Sequence, residues 1–170
     1  MSQLTHFSSN WEKQEFPISI LLHNFKIKVN IGSIFRLADA FGVEHIYLSG
    51  TSAQPPSRKI TKTARSADKY VPFSYQDEPF EVLSHLKSDG YRIVSLELTT
   101  DSLPLSELTL LKDEKVCLVL GSESEGVDSE LLKLSDDVFY IPMYGEKSSL
   151  NVATAAGIAL YQLVDGLKEY

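Results

Sequence analysis

Five consecutive apolar residues, Val116-Cys117-Leu118-Val119-Leu120, constrain the fold of this chain more than any other feature. A strand of this kind has no polar face to turn to water, so it reads as a buried parallel strand. It runs directly into a glycine-bounded acidic loop, Gly121-Ser122-Glu123-Ser124-Glu125-Gly126, the usual way a parallel strand delivers a ligand loop from its C-terminal end. Strand-like runs at 18–22, 43–49, 71–75, 91–98, 116–120 and 138–142 alternate with helical patterns at 31–41, 57–68, 78–88, 128–134 and 150–166. Such alternation predicts an α/β fold, a mostly parallel sheet flanked by helices. Ser88-Asp89-Gly90 and Asp101-Ser102-Leu103-Pro104 read as turns.

A length of 170 residues with 43% hydrophobic content suits a single domain over residues 1–170 with a real core. No apolar run approaches the roughly 20 residues a membrane span needs. Met1 to Lys13 is polar and lacks the apolar centre of a signal peptide, so a cytoplasmic location without membrane contact is expected. The lone cysteine, Cys117, lies in a strand pattern and reads as a small buried hydrophobe. Histidines 6, 23, 45 and 85 show no metal-ligand spacing, and no metal site is expected.

Two further segments flank the acidic loop in sequence. Residues 141–152, Ile-Pro-Met-Tyr-Gly-Glu-Lys-Ser-Ser-Leu-Asn-Val, lead from a β-like run through a polar loop into a helix start. Ser149 is a suitable helix N-cap, with Asn151 in the first turn beside it. Free amides there suit a ligand's polar edge or an anion. Small residues at 153, 155, 156, 157 and 159 permit close approach by another segment. Upstream, apolar residues at 31, 34, 35, 37, 38 and 41 follow a helical period, with Asn30 placed to cap the helix and Gly42 to stop it. Arg36 falls off the apolar stripe. Taken alone, these segments also suit an ordinary capped core helix and a solvated surface arginine.

Together they resemble a known family. Asn30-x-Gly32-x-x-x-Arg36, Leu120-Gly121-Ser122-Glu123-x-x-Gly126 and Ile141-Pro142-Met143-x-Gly145-x-x-x-Ser149-Leu150-Asn151-Val152 are similar, in order and composition, to the three motifs of the SpoU (TrmH-like) branch of the SPOUT RNA methyltransferases. The resemblance covers residues 18 to 165. It implies a SPOUT-type α/β domain whose C-terminal helix threads a loop to make a deep trefoil knot, which ordinary topology rules would not predict.

The resemblance also implies S-adenosylmethionine as cofactor, held in the knotted loops largely by backbone groups. The matching positions are Leu96, Gly121, Ile141 and Leu150, with Met143 as an apolar wall. The implied reaction is methyl transfer to a ribose 2′-hydroxyl of tRNA or rRNA. Arg36 matches the arginine proposed as general base in relatives. Because a guanidinium stays protonated, clamping the target phosphate and stabilising developing alkoxide is ranked ahead of proton removal. Asn30 and Asn151 are expected to orient Arg36 and the ribose, Glu123 to hold one of these groups, and Ser149 to bond phosphate or cap its helix. Relatives pair as homodimers through the C-terminal helix and the first-motif helix. Two other readings stay open: a cofactor- and RNA-binding module without turnover, and a methyltransferase acting on a guanine nitrogen.

Net charge is −7, which runs against RNA binding, but its distribution is uneven. Residues 1–70 carry nine basic and five acidic side chains, net +4, leaving −11 on the remainder. Arg58, Lys59, Lys62, Arg65 and Lys69 cluster at near-helical spacing after Pro55-Pro56. A phosphate backbone senses clustered charge on one face, so with the family resemblance this cluster becomes the leading candidate for RNA contact. Without it, a solvated helix face explains the same residues.

Overall fold

The computed structural model describes residues 12–168. The strands are β1 (Phe16–His23), β2 (Val43–Ser49), β3 (Phe73–Gln76), β4 (Arg92–Leu96), β5 (Leu103–Pro104), β6 (Val116–Leu120) and β7 (Asp137–Tyr140). The helices are α1 (Lys28–Ala40), α2 (Arg58–Ala64), α3 (Pro79–Ser88), α4 (Ser129–Leu134) and α5 (Val152–Leu167). The strands form one sheet in the order β3-β2-β1-β6-β4-β7-β5, and every named strand pair is parallel.

The apolar run at 116–120 lies in the middle of this sheet. Leu118 pairs with Ile20 of β1 on one side and Val94 of β4 on the other. Successive side chains of a strand point to opposite faces, and here both faces are dry. Val116, Leu118 and Leu120 join the core that includes Ile31, Phe35 and Leu160, from α1 and α5. Cys117 and Val119 join the core with Leu83 of α3 and Leu131 of α4. Burial pushes the Cys117 thiol up to about 12, which keeps it protonated and inert.

Several expected boundaries move. The helix expected over 57–68 stops at Ala64, because Arg65 and Ser66 adopt left-handed backbone, φ 53° and 71°. Ser66 N–H then donates back to Thr61 O at 3.3 Å, a helix-ending bond, and a short 3₁₀ turn follows over Ala67–Lys69. The segment read as the turn 101–104 contributes a two-residue edge strand, Leu103–Pro104, beside β7. The strand expected at 138–142 ends at Tyr140, and the one expected at 91–98 ends at Leu96. Both shortened strands release their last residues into the loops that build the site.

Neither predicted helix cap holds. α1 begins at Lys28 after Ile27, so Asn30 sits inside the first turn and is buried. α5 begins at Val152, and its cap is Asn151, whose Oδ1 accepts from Ala153 N–H at 3.0 Å and Thr154 N–H at 3.4 Å. Ser149 lies exposed in the loop before it.

Gly32 shows why α1 and α2 pack so closely. A Cβ at this position would stand 2.5 Å from Ile60 O and 2.8 Å from Thr63 Cβ. Backbone atoms cannot yield as a flexible side chain can. Gly32→Ala is therefore expected to destabilise the protein by about 1–3 kcal/mol, as overpacking does. Thermal unfolding checks this: a melting temperature unchanged within a degree would contradict the close approach.

Candidate active site

The strand order reverses between β1 and β6, with β2 and β3 on one side and β4, β7 and β5 on the other. In open parallel sheets the carboxyl ends near such a reversal form a crevice. A cleft of about 380 Å³ opens there, between the loops following β4, β6 and β7 and the start of α1. Leu96, Gly121, Ile141, Met143 and Leu150, the five positions expected at the cofactor, all line it. So do Asn30, Glu123, Ser149 and Asn151. Arg36 does not: it is exposed, outside the cleft lining, and makes no hydrogen bond or ion pair among the described residues.

The loop after β6 closes on itself. Ser122 and Gly126 exchange N–H···O bonds of 3.0 Å in both directions, and Ser122 Oγ accepts from Glu125 N–H at 3.1 Å. A Cβ at Gly121 would overlap the Gly126–Val127 peptide, so the first glycine is a steric requirement of this closure. Gly126 has φ +72°, open to glycine at little cost.

Glu123, at the tip of this loop, reaches the entry to α1. Its carboxylate accepts from Lys26 N–H at 3.4 Å, Ile27 N–H at 3.2 Å and Asn30 Nδ2 at 3.1 Å. Asn30 Oδ1 in turn accepts from Asn151 Nδ2 at 3.1 Å, and Asn151 Oδ1 caps α5. A single relay therefore joins the three sequence segments. Asn30 and Asn151 bond each other, and neither makes a hydrogen bond to the Arg36 of the same chain. Negative charge at amides that no helix bond satisfies is favourable, so Glu123 takes the capping role that Asn30 was expected to fill.

Sequence reasoning missed Glu97. It stands one residue past β4 and lines the cleft. Its Oε2 accepts from Val127 N–H at 2.9 Å, and its Oε1 from Leu98 N–H at 3.0 Å. The only available signal was an acidic residue at the end of an apolar strand. Among the described residues, no Lys, Arg or His side chain lines the cleft, whereas two carboxylates do. Arg58, Lys59, Lys62 and Arg65 are all exposed and lie outside it. Among the described residues, no group of three or more His, Cys, Asp or Glu is placed to hold a metal, and no helix is long and apolar enough to cross a membrane.

Apolar walls from Leu96, Ile141, Met143 and Leu150, strand-end backbone and acidic side chains together suit a nucleoside that carries positive charge. S-adenosylmethionine has this chemistry, and the cleft volume lies in the range of small-molecule sites.

The model of the SpoU rRNA Methylase family matches residues 17–161. A tRNA (guanosine(18)-2′-O)-methyltransferase from Aquifex aeolicus is 34% identical over 152 residues, which cover 89% of this chain and 70% of that protein. The crystal structure of the SpoU methyltransferase AviRb from Streptomyces viridochromogenes in complex with the cofactor AdoMet has a TM-score of 0.79 at 27% identity, covering 89% of this chain and 58% of that one. A structure bearing on the 2-OH methylation of C/U34 on tRNA has a TM-score of 0.76 at 26% identity, covering 88% of this chain and 95% of that one. The chain spans 46% to 70% of the length of the curated relatives it matches.

The relay makes a local prediction. In Glu123→Ala the amides of Lys26 and Ile27 lose their acceptor, so hydrogen exchange at both should accelerate while β1 amides keep their protection. Unchanged exchange at 26 and 27 would mean that the carboxylate contributes nothing to the α1 entry.

Proposed function

Because the chain belongs to the SpoU rRNA Methylase family, we propose that it transfers a methyl group from S-adenosylmethionine to a ribose 2′-hydroxyl of RNA, with tRNA as the substrate class. The observation that carries this reading is the Glu123–Asn30–Asn151 relay, which gathers all three motif segments on the wall of one cleft. Near-complete coverage of the chain studied for tRNA position 34 favours tRNA over rRNA. When bound, S-adenosylmethionine supplies a methyl group already activated on a sulfonium.

The residues then have to position the hydroxyl and manage its charge. Leu96, Gly121, Ile141 and Leu150 present backbone groups to the adenine edge, and Met143 closes an apolar side. Asn30 and Asn151, locked by the relay, orient the ribose, and Ser149 is free in the loop to bond phosphate. Arg36 clamps the target phosphate and stabilises charge developing on the 2′-oxygen.

Arg36 has to reach a cleft that it does not line, and this supports a homodimer with shared sites. α1 and α5 bound a second, shallow and mainly apolar surface that includes Leu37, Phe41, Gly157, Ile158 and Tyr161, with Ile158 41% and Tyr161 63% exposed. Pairing through this face would carry one protomer's Arg36 towards its partner's cleft. The same reading includes the trefoil knot, formed where the loops after β4, β6 and β7 meet, and a cytoplasmic location.

Methyl incorporation into tRNA, located by nuclease digestion, tests the activity. Methyl on a base, or none at all, would overturn it. Arg36→Ala is expected to abolish transfer while S-adenosylmethionine affinity stays within a few-fold, and Arg36→Lys to restore little, since lysine lacks the planar fork. Mixing Arg36→Ala with Asn151→Ala subunits should recover activity that neither parent has. A fully active monomer at nanomolar concentration would rule out shared sites.

The α2 cluster makes a separate prediction. Replacing Arg58, Lys59 and Lys62 with glutamine should weaken RNA binding and reduce its salt slope by roughly one per lost phosphate contact. Cofactor affinity should not change. An unaltered slope would leave these side chains as a solvated face.

A further inference from the structure

We propose that Glu97 is a cofactor-recognition residue whose carboxylate braces the 121–127 loop and accepts hydrogen bonds from the ribose diol of the cofactor. This rests on the reading of the cleft as an S-adenosylmethionine site. An ionised carboxylate offers about four acceptor positions. Glu97 uses two of them, one per oxygen, on Val127 N–H and Leu98 N–H, and both bonds point its head at fixed backbone. The side chain is half-buried, lines the cleft and forms no salt bridge among the described residues. A charge withdrawn from water without a cation needs hydrogen-bond donors. With no basic side chain lining the cleft among the described residues, water or a ligand is left to supply further donors.

The loop is shaped around this head group. A Cβ on Gly126 would overlap Glu97 Oε2, so with any larger residue there the carboxylate would have to leave its present position against the loop. Of the donors on S-adenosylmethionine, the vicinal ribose hydroxyls best match the paired acceptors of a carboxylate. An adenine edge alternates donor and acceptor, which suits strand-end backbone groups and not an acceptor-only side chain. An acid near the carboxyl end of a parallel strand reading ribose hydroxyls is a recurring solution in α/β nucleotide sites.

The test is a cycle in binding free energy measured by calorimetry. S-adenosylhomocysteine and its 2′-deoxy and 3′-deoxy analogues are titrated into wild type, Glu97→Gln and Glu97→Ala. Wild type should lose roughly tenfold to a hundredfold in affinity when a bonded hydroxyl is removed. In Glu97→Ala the parent and the analogues should bind almost equally. Faster hydrogen exchange at Val127 in that variant reports the loss of the loop brace. If the alanine variant does not fold, Glu97→Gln carries the test: one acceptor becomes a donor, and discrimination at one hydroxyl should collapse. The same deoxy penalty in wild type and variants would overturn the assignment while leaving the methyltransferase reading intact. A folded wild type that binds no S-adenosylhomocysteine would overturn both.

Discussion

The site depends on the polarity of one hydrogen-bond chain. Glu123 accepts only, so Asn30 must turn its NH₂ group towards it. Asn30 Oδ1 is then fixed facing Asn151, which must answer with its own NH₂ group. Asn151 Oδ1 is left for the free amides at the start of α5, which it caps. Each amide orientation follows from the one before, starting from a single negative charge. The chain ties residues 93 and 121 apart in sequence. An aspartate in place of either asparagine would set acceptor against acceptor and break it.

The sheet determines why these segments can meet. β6 is central and apolar on both faces, so α1 and α5 cover one side while α3 and α4 cover the other. Parallel pairing on both flanks brings the carboxyl ends of β4, β6 and β1 to one edge. The loops leaving that edge draw on bonds outside the strand ladder: Ser122 with Gly126, Val127 with Glu97, and the α1 entry with Glu123. Strands that end at Leu96 and Tyr140 hand their following residues to the loops that line the cleft.

What the sequence revealed and what it concealed divide along sequence distance. The run 116–120, the apolar stripe of α1 and the small-residue face of α5 are local periodicities, and each element lies where its pattern placed it. Residues 30, 121, 123, 141, 149 and 151 gather at one cleft, a meeting that no local periodicity encodes and that only the motif resemblance suggested. The caps did not follow. Ser149 and Asn151 have similar N-cap chemistry, and only the first helical residue, Val152, chooses between them. Asn30 looked like a cap because the carboxylate holding the α1 entry comes from the far side of the chain. Glu97 was invisible for the same reason, since an acid after a strand has no meaning until Gly126 is packed against it. The break at Arg65 and Ser66 also escaped, because neither residue type advertises left-handed backbone.

Charge divides the surface by task. Among the described residues, the cleft is lined by carboxylates without a basic side chain, and the exposed cations of α2 lie outside it. On the proposed reading, a cationic small molecule and a polyanion would be drawn to different places, although net charge is −7. In the proposed reaction, transfer between them would call for a positive group at the boundary, near enough to the cleft to meet the reacting oxygen. Arg36 has the right chemistry, yet it lies outside its own cleft, beside the apolar surface that α1 shares with α5. From Asn30 to Arg36 is six residues of helix, about 9 Å along the axis and roughly 120° away in direction. A single helix therefore cannot aim both side chains at one point. In the proposed dimer, a second copy packed through the α1–α5 face would remove this conflict without bending the helix.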